Sequence, residues 1–354
     1  MLIKRTMSSG ANDLNTVYRP CTVQEVIGQG INKKIIENGL RSGSLPHSLL
    51  FTGPAGCGKT TMARIIALGL NCKESNGPTN SPCLNCTCCK ATLDQKNLDV
   101  IEINVGKDGG KAAVNKVVSD LSFSPLLGRC KVLIFDEAHE LTKSAQDLLL
   151  KVIEDGFSHV YFIFCTNKPD TLVEAFGTRV TVMYFDRMPD VEMLGVLTNI
   201  CDFEGVAYKQ PVLDYIVEFS SGVPRNAIKY LKQVFDEQSW DIDTVKVMLT
   251  GHMLDEDSPD LMEIGKVLKS GNFKSAINLL NKIKNVPEET VRAALAGFFV
   301  NQLKWARSVV DGDKISAALD VLTVPIYLKG RSSHHVLVNY MYKVTRIMKG
   351  TLDA

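Results

Sequence analysis

The sequence has little of what marks membrane-spanning and secreted proteins. No apolar run reaches the roughly 20 residues that a membrane-spanning helix needs, and residues 1–4 begin no signal-peptide pattern. The chain has no internal repeats and no low-complexity tract. Its net charge is +1, so any nucleic-acid surface would be a local patch of charge. With 45% hydrophobic and 22% charged residues among 354, we expect a globular protein of about two or three domains.

What is present centres on one stretch, LLFTGPAGCGKTT at residues 49–61. A short apolar strand pattern precedes GPAGCGKT at residues 53–60, which matches the phosphate-binding loop G-x-x-x-x-G-K-[ST], and a helical pattern follows. In such loops Lys59 reaches the β- and γ-phosphates, and the hydroxyl of Thr60 binds Mg²⁺. The alternative, a glycine-rich turn without a ligand, fits this context poorly. The glycines that would let backbone N–H groups close around phosphate oxygens are Gly53, Gly56 and Gly58.

A second apolar run, residues 131–135, ends in two acidic residues. In a phosphate-loop fold Asp136 at this strand end would hold Mg²⁺, through water or directly, and Glu137 would be the general base that polarises the attacking water. The pair is a weak signal alone, but its place about 75 residues after the loop favours this interpretation. Another buried strand, residues 160–165, ends beside Thr166 and Asn167. A polar side chain there suits either sensing of the γ-phosphate or capping of the strand.

Five of the ten cysteines lie between residues 72 and 89. Without a secretion signal, such a cluster indicates metal binding in a reducing compartment rather than disulfides. Four thiolates suit tetrahedral Zn²⁺ in a closed structural site, and free surface thiols are the alternative. The C-x-x-C spacing favours Cys89 over its neighbour Cys88. The predicted zinc ligands are therefore Cys72, Cys83, Cys86 and Cys89.

The rest of the chain has a helical pattern. Residues 190–236 are predicted to be all-helical, and later helices include a long one over 288–309. Arg225 stands near the start of one helix, where a solvated surface arginine and a functional one are equally good interpretations. The run ALAGFFV at residues 294–300 is too apolar for a lone surface helix, so we expect it to be buried within its own domain or against a partner subunit.

Taken together, these motifs resemble the ATPase subunit of the bacterial DNA polymerase III clamp loader, the gamma/tau family of the AAA+ class. The resemblance runs from Tyr18 to about residue 231, and the cysteine module after the loop helix is its most specific part. The shared motifs, in family order, are YRP at 18–20, VIGQ at 26–29, the phosphate-binding loop, LNC at 70–72, DEAH at 136–139 and G-x-x-R at 222–225.

The resemblance implies a fold. It is an α/β AAA+ phosphate-loop domain, a parallel sheet with flanking helices, with an inserted zinc module, a small helical lid domain and a C-terminal all-α collar domain. The expected boundaries are residues 1–188 for the ATP-binding domain with its zinc module at 72–89, residues 189–240 for the lid, and residues 241–354 for the collar and oligomerisation domain.

The resemblance also implies roles for individual residues. Asn167 would be sensor 1, Arg225 would be sensor 2, and Arg179 would be an arginine finger that enters a neighbouring subunit's site. The family usually has Ser-Arg-Cys where this chain has Thr-Arg-Val. The residues expected to hold ATP are Tyr18, Arg19 and Pro20 at the adenine, with Gly53, Gly56, Gly58, Lys59, Thr60 and Thr61 at the phosphates. The lysines that could contact DNA phosphates, or could equally be solvated, are Lys107, Lys111, Lys116, Lys151 and Lys168.

The implied function is that of a motor subunit, which couples ATP binding and hydrolysis to opening a sliding clamp and loading it on primer–template DNA. The family context implies a hetero-oligomer of several copies, five subunits in all, in the cytoplasm of a bacterium or a phage-infected host and away from membranes. One alternative is a non-hydrolysing scaffold subunit of the same complex, which the intact catalytic residues disfavour. The other is a different AAA+ enzyme, such as a branch-migration motor or a helicase loader, which the zinc module disfavours.

Overall fold

The computed structural model describes residues 13–108, 110–252, 259–283, 288–304, 308–324, 326 and 331–351. The chain forms two compact units, Met1–Asp236 and Glu237–Ala354. The predicted domain boundaries, after residues 188 and 240, stay predictions. No helix in the described ranges is both long enough and apolar enough to span a membrane.

The first unit is built on a parallel sheet. Its strands are β1 (Ser48–Thr52), β2 (Val100–Asn104), β3 (Lys131–Asp136), β4 (Val160–Thr166) and β5 (Thr181–Tyr184). They lie in the order β2-β3-β4-β1-β5, and every pairing is parallel. The helices of this unit are α1 (Leu14–Val17), α2 (Gly30–Ser42), α3 (Lys59–Asn71), α4 (Thr87–Leu93), α5 (Val105–Asp108), α6 (Gly110–Ser119), α7 (Lys143–Asp155), α8 (Glu174–Arg179), α9 (Asp190–Glu204), α10 (Gln210–Ser220) and α11 (Pro224–Glu237).

Helices cover the sheet on both faces. All seven residues of β4 are buried, which explains why the central strands have continuous apolar runs rather than alternating ones. Successive residues of β3 face opposite layers because side chains alternate along a strand. Val132 and Ile134 pack in the layer that contains α3, whereas Leu133 and Phe135 pack in the layer that contains α7. The predicted α/β architecture with a parallel sheet is confirmed.

The strand register brings the predicted functional segments to one edge of the sheet. Thr52 at the end of β1 is paired with Thr166 at the end of β4. Asn104 at the end of β2 is paired with Asp136 at the end of β3. The carboxyl ends of these parallel strands therefore meet, and ligand sites of open α/β sheets form at this edge.

A buried carboxylate fixes the segment that leads into β3. Asp99, which is 1% exposed, accepts hydrogen bonds from the backbone N–H groups of residues 126–128 at 2.6–2.8 Å. The side-chain oxygen of Asn71, at the end of α3, accepts those of residues 129 and 130 at 2.8 and 3.1 Å. These bonds satisfy backbone donors that would otherwise be costly to leave unpaired near the core.

The second unit is all-α in its described residues. Its helices are α12 (Ile242–His252), α13 (Pro259–Lys269), α14 (Phe273–Leu280), α15 (Glu288–Lys304), α16 (Val309–Leu322) and α17 (Arg331–Lys349). The apolar run at 294–300 lies within this unit's own core, with Phe298 and Phe299 at most 3% exposed. The long helix predicted over 288–309 is wrong in length. α15 ends at Lys304, and a new helix starts at Val309, where the hydroxyl of Ser308 accepts the backbone N–H of Asp311 at 3.1 Å.

Replacing Asp99 with Ala should loosen the segment before β3. The change leaves three backbone N–H donors without their acceptor, so we expect the free energy of unfolding of the first unit to fall by about 3 kcal/mol. Hydrogen exchange read by mass spectrometry should show faster exchange at residues 126–128. Asp94→Ala, which removes an exposed carboxylate, is the matched control. Unchanged exchange in the Asp99→Ala protein would contradict the role given to this carboxylate.

Candidate functional site

The phosphate-binding loop connects β1 to α3 and depends on glycine at defined positions. Gly53 has a φ of +144°, and a Cβ built on it would lie 2.1 Å from the carbonyl oxygen of Phe185. Gly58 has a φ of +97° and immediately precedes α3. Side chains at either position would strain the backbone, because residues with a Cβ rarely adopt such positive φ values. The loop is therefore held in one shape at the N-terminus of α3.

Lys59 lies folded over this loop. Its side chain is buried, and Nζ donates to the carbonyl oxygens of Gly53 at 2.8 Å and Pro54 at 2.7 Å. Burial lowers the pKa of Lys59, and nearby anionic groups, Asp136 and Glu137 among them, partly offset that effect. An ammonium group at the mouth of an anion-binding loop, beside a helix N-terminus, provides the charge that a phosphate requires.

Two oxygen ligands suited to Mg²⁺ meet beside the loop. The hydroxyl of Thr60 donates to Oδ1 of Asp136 at 3.1 Å. These two residues come from the first turn of α3 and the end of β3, and both line the same cavity. A hydroxyl and a carboxylate in contact form the kind of hard-oxygen donor pair that holds Mg²⁺ together with substrate phosphates.

Glu137 follows in an unusual backbone conformation. Its φ of 53° and ψ of 46° place it in the left-handed region, and its side chain is 43% exposed. Its Oε2 lies 3.3 Å from Nδ1 of His139, whose side chain is only 9% exposed. The same imidazole nitrogen lies 3.4 Å from the hydroxyl of Thr166 at the end of β4.

Residues 55–61 of the phosphate-binding loop and α3, together with Asp136 and Glu137, line a cavity of about 370 Å³. The predicted residues found along it are Tyr18, Arg19, Pro20, Gly56, Gly58, Lys59, Thr60, Thr61, Asp136, Glu137 and Arg225. Gly53 contributes to the site through its carbonyl oxygen, which accepts from Lys59. Lining residues that the sequence did not single out include Glu25, Asn104, Asp186 and Met188.

One wall of the cavity joins the chain's first described residues to α9. The hydroxyl of Tyr18 donates to Oε1 of Glu204 at 2.6 Å, and the ring is 1% exposed. Burial, and then this contact with Glu204, raises the pKa of Tyr18 well above its usual value. Burial and the charges of Arg64 and Arg225 lower the pKa of Arg19. Arg19 and Arg225 thus both line the cavity, while the guanidinium of Arg64 is paired with Glu102 at 2.7 Å.

The start of α11 packs against the loop. A Cβ on Gly56 would lie 2.7 Å from Cγ1 of Val223 and 3.1 Å from Cβ of Arg225. Glycine is needed here for close approach as well as for its φ of +78°. The structure therefore brings Arg225 to the loop from a part of the chain more than 160 residues away.

Two predicted residues lie away from this cavity among the residues that the structure describes. Asn167 follows β4 and is exposed, and it is absent from the cavity lining. Arg179, the last residue of α8, is also exposed and forms an ion pair with Glu154 of α7. Their predicted roles stay predictions, and a surface position is the one that an arginine acting on another subunit requires.

The lysines predicted to contact DNA divide into two groups. Lys151 on α7 and Lys168 after β4 are exposed. The side chains of Lys107, Lys111 and Lys116 lie outside the described part of the chain.

The four predicted zinc ligands are brought together. The Sγ atoms of Cys72, Cys83, Cys86 and Cys89 all lie within 4.8 Å of one another. Backbone N–H groups also point at the sulfurs: that of Cys83 donates to Sγ of Cys72 at 3.2 Å, and that of Cys86 to Sγ of Cys83 at 3.2 Å. Such bonds favour the thiolate form. The donor set is therefore compatible with one tetrahedral Zn²⁺.

Cys88 points away from this cluster. Its thiol is fully buried and donates to the carbonyl oxygen of Leu127 at 2.9 Å. Burial raises the pKa of Cys88, as expected of a structural thiol. The choice of Cys89 over Cys88 thus agrees with the geometry.

Comparison with known proteins places this site in a family context. The family model described as DNA polymerase III, delta subunit, matches residues 28–189. The chain is 33% identical over 219 residues to the DNA polymerase III subunit gamma/tau of Mycobacterium tuberculosis, covering 61% of this chain and 38% of that protein. It is 30% identical over 277 residues to the DNA polymerase III subunit tau of Bacillus subtilis, covering 76% of this chain and 47% of that protein.

This chain is a relative of the DNA polymerase III gamma/tau subunits. It spans less than half the length of the two proteins just described. Among solved structures, this chain is similar to the Holliday junction branch migration motor RuvB of Thermotoga maritima. The TM-score is 0.50, and the identity is 21% over 78% of this chain and 85% of that one. At this identity the likeness shows the fold alone, and it agrees with the predicted AAA+ arrangement.

The cysteine cluster yields a test that separates neighbouring thiols. Purified protein should contain about one equivalent of zinc per chain. Cys89→Ser should lose that metal or hold it much more weakly, because its sulfur is one of the four donors. Cys88→Ser should retain it, because that thiol contacts a carbonyl instead. Elemental analysis measures the zinc content of each variant. Zinc retained by Cys89→Ser and lost by Cys88→Ser would show that the wrong thiol has been assigned.

Proposed function

We propose that this chain is an ATPase motor subunit of a DNA polymerase sliding-clamp loader. The observation that carries the proposal is the meeting of Lys59, Thr60, Asp136 and Glu137 along one cavity, in a chain related to gamma/tau subunits. The assembly would contain several such subunits, five in all with its other components. It would bind a sliding clamp and primer–template DNA, and would use ATP to open the clamp and release it closed on the DNA.

The arrangement supports a direct route to hydrolysis. The loop and Lys59 would hold the β- and γ-phosphates, and Thr60 and Asp136 would hold Mg²⁺, which neutralises charge on the phosphates when bound. Glu137 would accept a proton from the water that attacks the γ-phosphorus, so that the bond to the β-phosphate oxygen breaks and ADP leaves with phosphate. Arg225 would contact the nucleotide from α11, and Asn167 would sense the γ-phosphate.

Clamp loading itself provides the direct test of this function. Assembled with its partner subunits, the protein should hydrolyse ATP slowly alone and faster when a sliding clamp and primed DNA are present. Clamp should be transferred to the DNA in the same reaction. A rate of ATP hydrolysis that changes with neither clamp nor primed DNA would favour a different AAA+ enzyme. A complete lack of hydrolysis in a clamp-binding assembly would favour the scaffold subunit.

Two substitutions should separate ATP binding from hydrolysis. Lys59→Ala removes the buried ammonium and should abolish measurable ATP binding, whereas Lys34→Ala removes an exposed lysine and should bind normally. Glu137→Gln should bind ATP yet not cleave it, because Asp136 still supports Mg²⁺ while the base is gone. Nucleotide affinity and single-turnover rates measure the two steps. Normal turnover by Glu137→Gln would remove Glu137 from its role.

Arg179 should act on a neighbouring subunit. Arg179→Ala should bind ATP nearly normally but hydrolyse it about 10³–10⁵ times more slowly, the range found for arginine fingers. Mixing it with Glu137→Gln subunits should restore some activity, since the second variant lends its arginine to the first variant's intact base. Glu154→Ala removes only the ion-pair partner and is the matched control. Mixed assemblies that are shown to form yet are as inactive as their components would argue that Arg179 acts within its own chain or is merely structural.

A further inference from the structure

We propose that His139 is a positioning residue that holds the carboxylate of Glu137 in place for hydrolysis. The proposal rests on the ATPase function proposed above and adds a residue to its machinery. It starts from the contacts of the imidazole, which joins the ends of β3 and β4 beside the cavity.

The carboxylate of Glu137 needs such a support. It is 43% exposed, and a solvated glutamate side chain otherwise samples several rotamers. The backbone N–H of Glu137 donates to Oδ1 of Asp136 at 3.2 Å, and its left-handed φ of 53° fixes where the side chain leaves the chain. These features fix the Cα–Cβ direction only. The contact with Nδ1 of His139 at 3.3 Å is what restrains the carboxylate itself.

The imidazole is itself held on several sides. It is 9% exposed, and its Nδ1 lies 3.4 Å from Oγ1 of Thr166, a residue that is 1% exposed. That hydroxyl oxygen also accepts the backbone N–H of Lys168 at 3.0 Å. Nε2 on the other side of the ring lies 3.4 Å from Oε1 of Glu140, which is 55% exposed. Nδ1 therefore faces Glu137 and Thr166, whereas Nε2 faces the exposed carboxylate of Glu140.

This arrangement assigns different importance to the two ring nitrogens. We assign the single Nδ1 hydrogen to the carboxylate of Glu137 at 3.3 Å, and the hydroxyl of Thr166, 3.4 Å away, packs beside the same nitrogen. Loss of Nδ1 should therefore free the carboxylate. Nε2 contacts only the exposed side chain of Glu140 among the pairs described, and exposed pairs contribute little. A base misplaced by about 1 Å can slow a reaction about 100-fold. His139 is thus expected to affect the chemical step rather than ATP affinity.

The test compares variants that keep one nitrogen position at a time. His139→Leu should lower kcat about 10- to 100-fold and leave the Kd for ATP unchanged. His139→Asn, whose amide reaches the position of Nδ1, should restore most of the rate. His139→Gln, which reaches the position of Nε2, should not, and Glu140→Gln should behave like the wild type.

Three results would overturn the proposal. The first is a wild-type kcat in His139→Leu. The second is rescue by His139→Gln that equals rescue by His139→Asn. The third is a fall in kcat, in ATP affinity and in thermal stability together in every His139 variant, since a merely structural residue would produce this result.

A double substitution tests whether His139 acts through Glu137. In the Glu137→Gln background, adding His139→Leu should leave the trace of single-turnover cleavage that remains over long incubation unchanged, because the group that His139 positions is already gone. A further loss as large as in the wild-type background would show an independent role. Failure of the proposed function is distinguishable, since the wild-type protein would then either lack hydrolysis or hydrolyse ATP at a rate that clamp and primed DNA do not change, whatever residue stands at position 139.

Discussion

The buried ammonium of Lys59 is the charge on which the site depends. Burying such a group is costly unless it is hydrogen-bonded, and here two loop carbonyls accept from it. The loop that carries those carbonyls has positive φ values at Gly53 and Gly58, and it is placed by β1 on one side and α3 on the other. The strand register then brings Asp136 within 3.1 Å of the neighbouring Thr60. The conformation of the loop and the order of the strands thus together place Lys59, Thr60 and Asp136 at one edge of the sheet.

Features carried by short stretches of sequence could be predicted. The phosphate-binding loop is contiguous, and the three-residue spacing of Cys83, Cys86 and Cys89 brings their thiols to one side of a tight turn, while Cys88 turns inward. Contacts between distant segments could not be predicted, because they depend on strand register. The sequence placed Thr166 and Asn167 together at the end of β4, and the resemblance gave the sensor role to Asn167, whereas the described contact to the acidic motif runs from Thr166 to His139. The break between α15 and α16 was hidden because Val309 prolongs the apolar pattern.

The cysteine cluster and the cavity beside the phosphate-binding loop share supporting elements. Helix α3 begins at Lys59 in the cavity and ends one residue before Cys72 in the cluster. Cys21 packs with Cys72 and Cys89, and the two residues that precede it, Arg19 and Pro20, line the cavity. The cysteine cluster is therefore packed against the same segment that lines the cavity.

A crystal structure of the protein with Mg²⁺ and a non-hydrolysable ATP analogue is the most direct test of this account. We predict that Nζ of Lys59 leaves the carbonyls of Gly53 and Pro54 and contacts the β- and γ-phosphates. The hydroxyl of Thr60 and the carboxylate of Asp136 should separate to accommodate the metal between them and the phosphates. A nucleotide bound elsewhere, with Lys59 still hydrogen-bonded to its own loop, would contradict the account.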